Sequence, residues 1–419
     1  MQTLHPSSAC SLLTFALLCA APVSHAQQTP AQTPPTASPN ATAPSATGVA
    51  PTSTLAVVSP EVHGDRTVTL RYEAPNAQKV TVSIEGDPKP LAMEKNAQAV
   101  WEATTGPKVP EFYGYSFSVD GKRELDPRNP VVRPNLLSPT TVLHVPADTP
   151  QPWDMTDIPH GEVTHHVYFS KLAPKDGYST DRDLYVYTPP GYDAKRKQPY
   201  PVLYLIHGFS DAANGWVEAG QANLIFDSLL HDGKIQPFVV VMPRGYGTME
   251  MIERNPRPPA LGVKNQQTFS DQMLHELLPM VEARYNIARD PAHRAMAGLS
   301  MGGGHSQYTG LNHPEVFGYV GMFSAGITST MDIRGKDVPA ATYDAAFKAM
   351  LPNAATQPPV KLLWISCGTE DALITVNHGF ESWAKANIKG NVQVRDTPGM
   401  HTWMVWRDDL IAFTPLLFR

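Results

Sequence analysis

The chain has 419 residues, of which 42% are hydrophobic and 17% are charged, with a formal net charge of −6 at pH 7. This length is enough for more than one domain, each with its own buried core. The negative charge and the lack of a basic run argue against a nucleic-acid-binding protein.

The first residues have the pattern of an export signal. Residues 11–21 form an apolar run, and the small residues Ser24 and Ala26 fit cleavage after Ala26. The run is too short to span a bilayer comfortably. One departure from the signal-peptide pattern is that the segment before the run has no Lys or Arg. We therefore predict a signal peptide at residues 1–26 and a secreted or periplasmic protein that leaves the membrane after cleavage.

The three cysteines are compatible with export but do not by themselves indicate it. Cys10 and Cys19 lie within the predicted signal, so Cys367 is alone in the remaining chain and has no partner for an intramolecular disulfide. A lipid anchor on Cys19 is an alternative to cleavage after Ala26. It is disfavoured because Leu18 stands where a small residue is expected.

Two different patterns follow the signal. Residues 27–55 are rich in Pro, Ala, Thr and Ser and carry no charge. Such a segment cannot bury enough apolar surface to offset its ordering entropy, so we predict a disordered linker. Residues 56–147 instead alternate apolar and polar side chains, as in Val68, Leu70 and Tyr72, with turn signals between the alternating runs. Short strands of this kind predict a small immunoglobulin-like β-sandwich.

Residues 160–419 have the sequence pattern of an α/β domain. Four apolar runs lack polar alternation and predict strands that are buried on both faces, as in a parallel sheet covered by helices. These runs cover residues 200–206, 238–242, 319–323 and 362–365. Helical segments are predicted between them, one over residues 224–230 and another that begins with Thr268 as its N-cap.

A pentapeptide at residues 298–302 predicts a nucleophilic serine. It reads Gly-Leu-Ser-Met-Gly and lies between a predicted strand and a predicted helix, which is the setting of a nucleophile elbow in an α/β hydrolase. A serine on such a strained turn needs neighbours without bulky side chains, and Gly298 and Gly302 meet that demand. Ser300 is therefore the candidate nucleophile.

A serine nucleophile needs a base, and the chain order of α/β hydrolases places that base last. Four histidines follow Ser300, namely His305, His313, His378 and His401. His401 follows the predicted strand 392–395 in a loop, which is where such a base is expected. His305 belongs to the helix after the elbow, and the other two have surface-like surroundings.

The acid that orients the base is expected after the strand that precedes the last one. Residues 362–371 supply a strand, a glycine turn and two carboxylates, Glu370 and Asp371. We prefer Asp371 because its shorter side chain suits a fixed hydrogen bond to an imidazole.

An oxyanion hole requires two backbone N–H groups that point at the developing charge. One is expected from Met301, the residue after the nucleophile. The other is expected from Phe209, because Gly208 lets the loop after the strand 202–206 turn inward. His207, in the same loop, is interpreted as a structural residue rather than as a base.

Together these motifs resemble the esterase D-like group of carbohydrate esterase family 1, which includes bacterial feruloyl esterases and is related to enterochelin esterases. The likeness covers about residues 160–419. Its matching segments are Tyr204–Gly208, Trp216, Val241–Pro243, Gly298–Gly304, Cys367–Asp371, His401–Trp403 and Trp406–Arg407.

The β-sandwich resembles early-set, glycogen-binding-like modules, which form family 48 of the carbohydrate-binding modules. This likeness is carried by Trp101, by the aromatic strand 113–117 and by the segment 125–130. Aromatic residues in an alternating strand are more often core residues than sugar-binding ones, so we assign no ligand residue in this domain.

The resemblance implies an α/β hydrolase whose triad is Ser300, Asp371 and His401. It also implies a secreted serine esterase that removes ferulate, related hydroxycinnamates or acetyl groups from plant cell-wall polysaccharide. The expected partners are therefore polysaccharide-linked or small aromatic acyl esters. Candidates for lining the acyl or sugar pocket are Trp216, Tyr246 and Met249, with core packing as an equally open role.

Two other functions remain open. The first is hydrolysis of a siderophore ester of the enterochelin type, for which Arg244, Arg254 and Arg257 could supply positive charge. The second is a non-catalytic glycan-binding protein, which is disfavoured because all three triad residues are present. No cofactor or metal is expected, because the sequence has no His-Glu-x-x-His motif, no cysteine pair and no acidic calcium loop.

Overall fold

The computed structural model describes residues 57–258, 260–330 and 339–419, and these residues belong to one structural unit. The predicted signal peptide and the whole of the predicted linker lie outside the described residues. Within those ranges the structure confirms the predicted fold class, an α/β hydrolase preceded by a small β-sandwich. No described helix combines the length and the apolar character that crossing a bilayer requires.

Two antiparallel sheets form the β-sandwich. One has the strand order β1-β2-β6-β5, and the other has the order β4-β3-β7-β10-β9, with β8 paired to β7. Their strands are β1 (Glu61–Val62), β2 (Val68–Glu73), β3 (Val80–Ile84), β4 (Leu91–Ala92), β5 (Glu94–Lys95), β6 (Val100–Thr104), β7 (Glu111–Val119), β8 (Lys122–Glu124), β9 (Val132–Arg133) and β10 (Thr140–Val145).

The alternating residues predicted for the sandwich fill the space between its sheets. Leu70, Val82, Tyr115 and Phe117 are each 0% exposed. Because neighbouring side chains on a strand point to opposite faces, one face of each sheet supplies this core. The aromatic strand is therefore a core strand.

An eight-stranded sheet forms the centre of the α/β domain, in the order β11-β12-β14-β13-β15-β16-β17-β18. The pairs among β11, β12 and β14 are antiparallel, and the remaining pairs are parallel. The strands are β11 (Glu162–Phe169), β12 (Asp181–Thr188), β13 (Val202–Ile206), β14 (Val239–Pro243), β15 (Arg294–Leu299), β16 (Tyr319–Phe323), β17 (Val360–Gly368) and β18 (Gly390–Thr397).

Helices cover both faces of this sheet and bury its strands. In β13, β14, β15 and β16 every residue is buried, and the continuous apolar runs predict this for β13, β14 and β16. The helices are α1 (Gly215–Glu218), α2 (Ala222–His231), α3 (Glu250–Glu253), α4 (Ala260–Gln272), α5 (Leu278–Arg284), α6 (Met301–Asn312), α7 (Ala340–Met350), α8 (Ile374–Asn387) and α9 (Trp403–Phe413).

One predicted helix boundary is wrong. Thr268 lies inside α4, which already begins at Ala260, and a π-helical turn at Met273–Leu277 joins α4 to α5. Buried residues such as Asn265 and Phe269 show that this helix packs against the domain around the predicted start. Tertiary packing therefore overrides the local capping pattern of Thr268 and Asp271.

Parallel strands bring their carboxyl ends to one edge of a sheet, and loops at that edge form the usual site of an α/β protein. Ser300 directly follows β15, Asp371 follows β17, and His401 follows β18. Gly208 follows the neighbouring strand β13. The topology thus collects residues that are far apart in the chain.

Helix α9, which follows His401, is also fixed to the β-sandwich. Arg407 on this helix is 0% exposed and forms an ion pair of 2.8 Å with Glu111 at the start of β7. Arg407 Nη2 donates a second bond of 3.0 Å to the carbonyl of Phe112. Removing one partner of a buried ion pair is strongly destabilising because it leaves the other charge buried and uncompensated.

Removing this carboxylate should destabilise the whole protein. We expect Glu111→Ala to lower the free energy of unfolding by about 3–5 kcal/mol, because Arg407 would remain buried without its counter-charge. Glu94→Ala, on the exposed strand β5, should change it by about 0.5 kcal/mol or less. Urea unfolding followed by circular dichroism measures both, and equal midpoints for the two variants would contradict the expectation.

Candidate active site

The backbone at Ser300 is strained. Ser300 joins β15 to α6 with φ 51° and ψ −115°, a conformation that a residue with a side chain rarely adopts. Two hydrogen bonds hold it there: its N–H donates to the carbonyl of Phe323 over 2.9 Å, and its carbonyl accepts from the N–H of Gly326 over 2.8 Å. The strained turn presents the hydroxyl at the sheet edge.

Two glycines make this turn possible because the chain lies against the end of β13. A Cβ atom at Gly298 would lie 2.7 Å from the carbonyl oxygen of Ile206. A Cβ atom at Gly302 would lie 2.4 Å from the same oxygen. Both distances are shorter than van der Waals contact, so close approach of the backbone requires glycine at both positions.

The three predicted triad residues meet in one hydrogen-bonded row. The Ser300 hydroxyl lies 2.9 Å from Nε2 of His401, and Nδ1 of the same ring lies 2.6 Å from Oδ2 of Asp371. Asp371 therefore fixes the imidazole with Nδ1–H as donor, which leaves Nε2 free to accept the serine proton. This is the arrangement that an activated serine nucleophile requires.

Asp371 is buried but kept ionised. It is 2% exposed, and its other oxygen accepts a bond of 2.8 Å from the N–H of Leu373. Burial alone would raise the pKa of Asp371, but the hydrogen bond and positive charge of His401, together with the Leu373 N–H, lower it below its usual value. The carboxylate can therefore stabilise an imidazolium on His401.

Two other histidines near the site are buried and neutral. Burial lowers the pKa of His207 to about 4 and that of His305 to about 3. His207 donates from Nδ1 to the carbonyl of Gly208 and accepts at Nε2 from the N–H of Gly245, both over 2.8 Å. Nε2 of His305 lies 3.0 Å from the carbonyl of Gly245. Both rings tie loops together, which is the structural role that the sequence predicts for His207.

Both predicted oxyanion donors lie beside the serine. Met301 is the first residue of α6, so its N–H has no acceptor within the helix. The loop of Phe209 passes close to Ser300, because a Cβ atom at Gly208 would lie 3.4 Å from that of Ser300. Phe209 and Met301 also border the same cavity as the serine.

A cavity of about 460 Å³ opens at the serine. Its walls combine apolar side chains with a few polar groups, as is typical of small-molecule sites. It is bordered by Phe209, Met251, Arg257, Gly262, Asn265, Ser300, Met301, His305, Gly326, Thr328, Leu373 and His401. The guanidinium of Arg257 lies 4.2 Å from the ring centroid of Phe209, which places a cation at the wall of the cavity.

The three pocket residues predicted from the sequence do not border this cavity. Trp216 and Tyr246 are 0% exposed, and Met249 is 7% exposed. Trp216 donates from its indole to the carbonyl of Ile206, and Tyr246 donates from its hydroxyl to that of Asp211. Of the two roles that the sequence leaves open for these aromatic residues, the structure favours core packing, because their polar atoms are satisfied by backbone carbonyls inside the core. Met251, rather than Met249, reaches the cavity.

The three arginines considered for binding an anionic ligand differ in their surroundings. Arg244 is paired with Asp183 over 2.6 Å, and Arg254 is paired with Glu250 over 2.6 Å. Of the three, Arg257 borders the cavity. Most of this positive charge is therefore already neutralised by neighbouring carboxylates.

A larger cavity of about 660 Å³ lies between the β-sandwich and the loop of His401. It is bordered by Glu85, Met400 and Thr402, but its lining includes neither Ser300 nor His401. We assign the chemistry to the smaller cavity because that one contains the serine. Among the described residues no cluster of three His, Cys, Asp or Glu side chains could hold a metal ion.

The fold and this arrangement of side chains define the class of the protein. Residues 177–417 match the family model Esterase, which is described as "Putative esterase". The matched region contains Ser300, Asp371 and His401. The chain belongs to this esterase family.

Known proteins are similar over different parts of the chain. An endo-1,4-beta-xylanase/feruloyl esterase from Xylanibacter ruminicola is 30% identical over 367 residues, which cover 86% of this chain and 46% of that relative. The chain thus spans about half the length of this curated relative.

Two solved structures share the fold. A ferulic acid esterase from Anaeromyces mucronatus matches with a TM-score of 0.53 and 21% identity, over 64% of this chain and 96% of its own. The enterochelin esterase of Shigella flexneri matches with a TM-score of 0.62 and 18% identity, over 85% of this chain and 94% of its own. The second match extends beyond the α/β domain into the β-sandwich.

The lowered pKa of Asp371 should be visible in the pH dependence of stability. A carboxylate whose folded-state pKa lies below its usual value of 3.8 stabilises the fold above that pH. This contribution is lost as the pH falls through the folded-state pKa. We therefore expect the stability advantage of the native protein over Asp371→Asn, measured as the difference in unfolding free energy, to be constant near neutral pH. This advantage should decrease as the pH falls below 3.8.

Urea unfolding of both proteins at a series of pH values measures this difference. Asp148→Asn is a suitable control, since the side chain of Asp148 is 93% exposed. The expectation fails if the difference for Asp371→Asn is as flat with pH as that for the control.

Proposed function

We propose that the protein is a serine carboxylic-ester hydrolase that removes feruloyl or related hydroxycinnamoyl groups, or acetyl groups, from plant cell-wall polysaccharide. One observation carries the proposal: the Ser300 hydroxyl, the His401 ring and the Asp371 carboxylate form a continuous hydrogen-bonded row at the mouth of a cavity. Membership of the esterase family supports the same reaction class.

The reaction follows from the groups in this row. His401 takes the proton of Ser300 through Nε2 while the serine oxygen attacks the ester carbonyl. The backbone N–H groups of Phe209 and Met301 stabilise the negative oxygen of the tetrahedral intermediate. His401 then gives its proton to the leaving alcohol, and an acyl-enzyme remains on Ser300. Water, activated by the same ring, releases the acid.

Asp371 supports both halves of this cycle. Its carboxylate holds the imidazole with Nδ1 protonated, so that Nε2 faces the serine at the start of each step. Since its pKa is lowered, it stays negative while the ring becomes positive. The His401 ring also packs against the Trp406 ring in a T-shaped arrangement, with ring centroids 4.9 Å apart, which limits rotation of the imidazole.

The acyl group is proposed to occupy the 460 Å³ cavity. Phe209, Met251 and Leu373 provide apolar contacts for an aromatic ring, and Arg257 can donate hydrogen bonds to oxygen substituents on it. The name of the Xylanibacter ruminicola relative couples feruloyl esterase with xylanase activity, which supports a hydroxycinnamoyl ester on a polysaccharide. Export through residues 1–26 stays a prediction and would bring the enzyme to a polymeric substrate.

A siderophore ester is the second candidate substrate. The fold likeness to the enterochelin esterase of Shigella flexneri, which includes the β-sandwich, keeps this candidate open. The pairing of Arg244 and Arg254 with carboxylates argues against it, because an anionic ferric siderophore needs unpaired positive charge at its site.

The nucleophile can be tested directly. We expect Ser300→Ala to lower kcat for p-nitrophenyl acetate by roughly 10⁴-fold or more, because the covalent route is closed. Ser382→Ala, which removes a hydroxyl on α8 that bonds to the carbonyl of His378, should leave kcat unchanged. Labelling by a fluorophosphonate probe gives a second readout. Full turnover or labelling of Ser300→Ala would refute the proposed role of Ser300.

The substrate class requires a comparison of esters. We expect kcat/KM for methyl ferulate to exceed that for enterobactin, with ferulate also released from feruloylated arabinoxylan. Arg257→Gln should weaken hydrolysis of methyl ferulate more than that of p-nitrophenyl acetate, since a small acetyl group does not reach the cavity wall. Faster hydrolysis of enterobactin would instead favour the siderophore ester.

A further inference from the structure

The β-sandwich touches the loop that carries His401 through one buried side chain. Glu85 follows β3, and its Oε1 accepts a bond of 3.0 Å from the N–H of Trp403. Trp403 is the first residue of α9 and lies two positions after His401. The first N–H groups of a helix have no partner within the helix, so Glu85 supplies one from another domain. Its negative charge also suits the helix N-terminus.

Glu85 is itself firmly held. Its Oε2 accepts bonds from Arg133 over 2.6 Å and from the N–H of Gly114 over 2.9 Å, while its own N–H donates to the carbonyl of Gly114 over 2.8 Å. The following turn packs on the same helix, because a Cβ atom at Gly86 would lie 2.6 Å from Cε of Met404. The Glu85 carboxylate therefore fixes the start of α9 relative to the sandwich.

A second part of the sandwich holds the loop of the proposed oxyanion donor. Asn135, between β9 and β10, donates from Nδ2 to the hydroxyl of Ser210 over 3.0 Å and to Oδ1 of Asp211 over 2.9 Å. The N–H of Leu136 donates to the carbonyl of Ser210 over 2.7 Å. Ser210 directly follows Phe209 and has φ 71°, a conformation that needs outside support.

We propose that Glu85 and Asn135 of the β-sandwich are positioning residues of the esterase, Glu85 for the ring of His401 and Asn135 for the N–H of Phe209. The inference rests on the proposed function. Neither side chain borders the cavity at Ser300, so both act through the backbone of the loop that they hold. A displacement of about 1 Å in a reacting group can cost ~100-fold in rate, which makes such contacts matter to catalysis.

The substitution Glu85→Gln tests the first contact without changing the size of the side chain. An amide has one oxygen, so its NH₂ group must face either the N–H of Trp403 or the donors Arg133 and Gly114. We expect kcat for p-nitrophenyl acetate to fall ~10–100-fold, with KM changed by less than about 3-fold, because the base is displaced while the cavity is retained.

The matched control for Glu85 is Glu102→Gln. Glu102 also accepts a hydrogen bond from an arginine of the sandwich, Arg71, over 2.5 Å, but its strand β6 belongs to the other sheet. For the second contact, Asn135→Ala is compared with Asn96→Ala, which removes an amide that bonds to the backbone of Gln98 and Val100 within the sandwich. We expect Asn135→Ala to lower kcat about 10-fold or more and Asn96→Ala to leave kcat unchanged.

Thermal unfolding of every variant separates positioning from simple loss of the fold. The inference is supported when Glu85→Gln and Asn135→Ala lose kcat at 25 °C while melting well above that temperature. It is overturned when both variants keep the kcat of their controls. If Glu85→Gln does not fold, Asn135→Ala alone decides. Inactive wild-type protein with an unlabelled Ser300 would instead refute the proposed function, so the two failures are distinguishable.

Discussion

The contact between the elbow and the end of β13 sets the geometry of the whole site. The backbone at Gly298 and Gly302 lies so close to the carbonyl of Ile206 that neither position has room for a side chain. This contact fixes where α6 begins, and with it the strained φ of Ser300 and the N–H of Met301. The loop of Phe209 starts from the same strand β13. The end of β13 therefore positions the Ser300 hydroxyl and both proposed N–H donors relative to one another.

Three buried carboxylates near this edge of the sheet have pKa values that are shifted in different directions. Burial raises the pKa of both Asp211 and Asp409 to about 7, since among the described residues no cation is in direct contact with either carboxylate. Asp371 is also buried, yet its pKa is lowered because the His401 ring lies at 2.6 Å. The proposed catalytic carboxylate is therefore distinguished by its imidazole partner.

The sequence was sufficient where chain order and strand topology decide the answer. The confirmed α/β hydrolase fold places Ser300, Asp371 and His401 after three parallel strands of one sheet, β15, β17 and β18, and the structure joins them by hydrogen bonds. The sequence was insufficient where the direction of a side chain in an irregular loop decides. For Trp216 and Tyr246 the sequence left a pocket role and core packing equally open, and both point into the core, where backbone carbonyls accept their polar hydrogens.

Contacts between the two domains were also beyond the sequence. Glu85 lies 318 positions before Trp403 in the chain, and nothing in the local pattern around either residue indicates their hydrogen bond. The same is true of Asn135 and Ser210. Such pairs depend on how the two hydrophobic cores meet, and no periodicity or motif in one of them reports on the other.

The Arg407 guanidinium on α9, which pairs with a carboxylate of the β-sandwich, limits which modules can be joined to the α/β domain. Arg407 is fully enclosed, and its carboxylate partner Glu111 belongs to the sandwich. An α/β domain cut free of its neighbour would carry an orphaned positive charge on the helix next to His401. Recombination or engineering that exchanges the front module must therefore supply an acidic residue at this junction to keep the ion pair, which makes the sandwich an integral part of the protein instead of an interchangeable attachment.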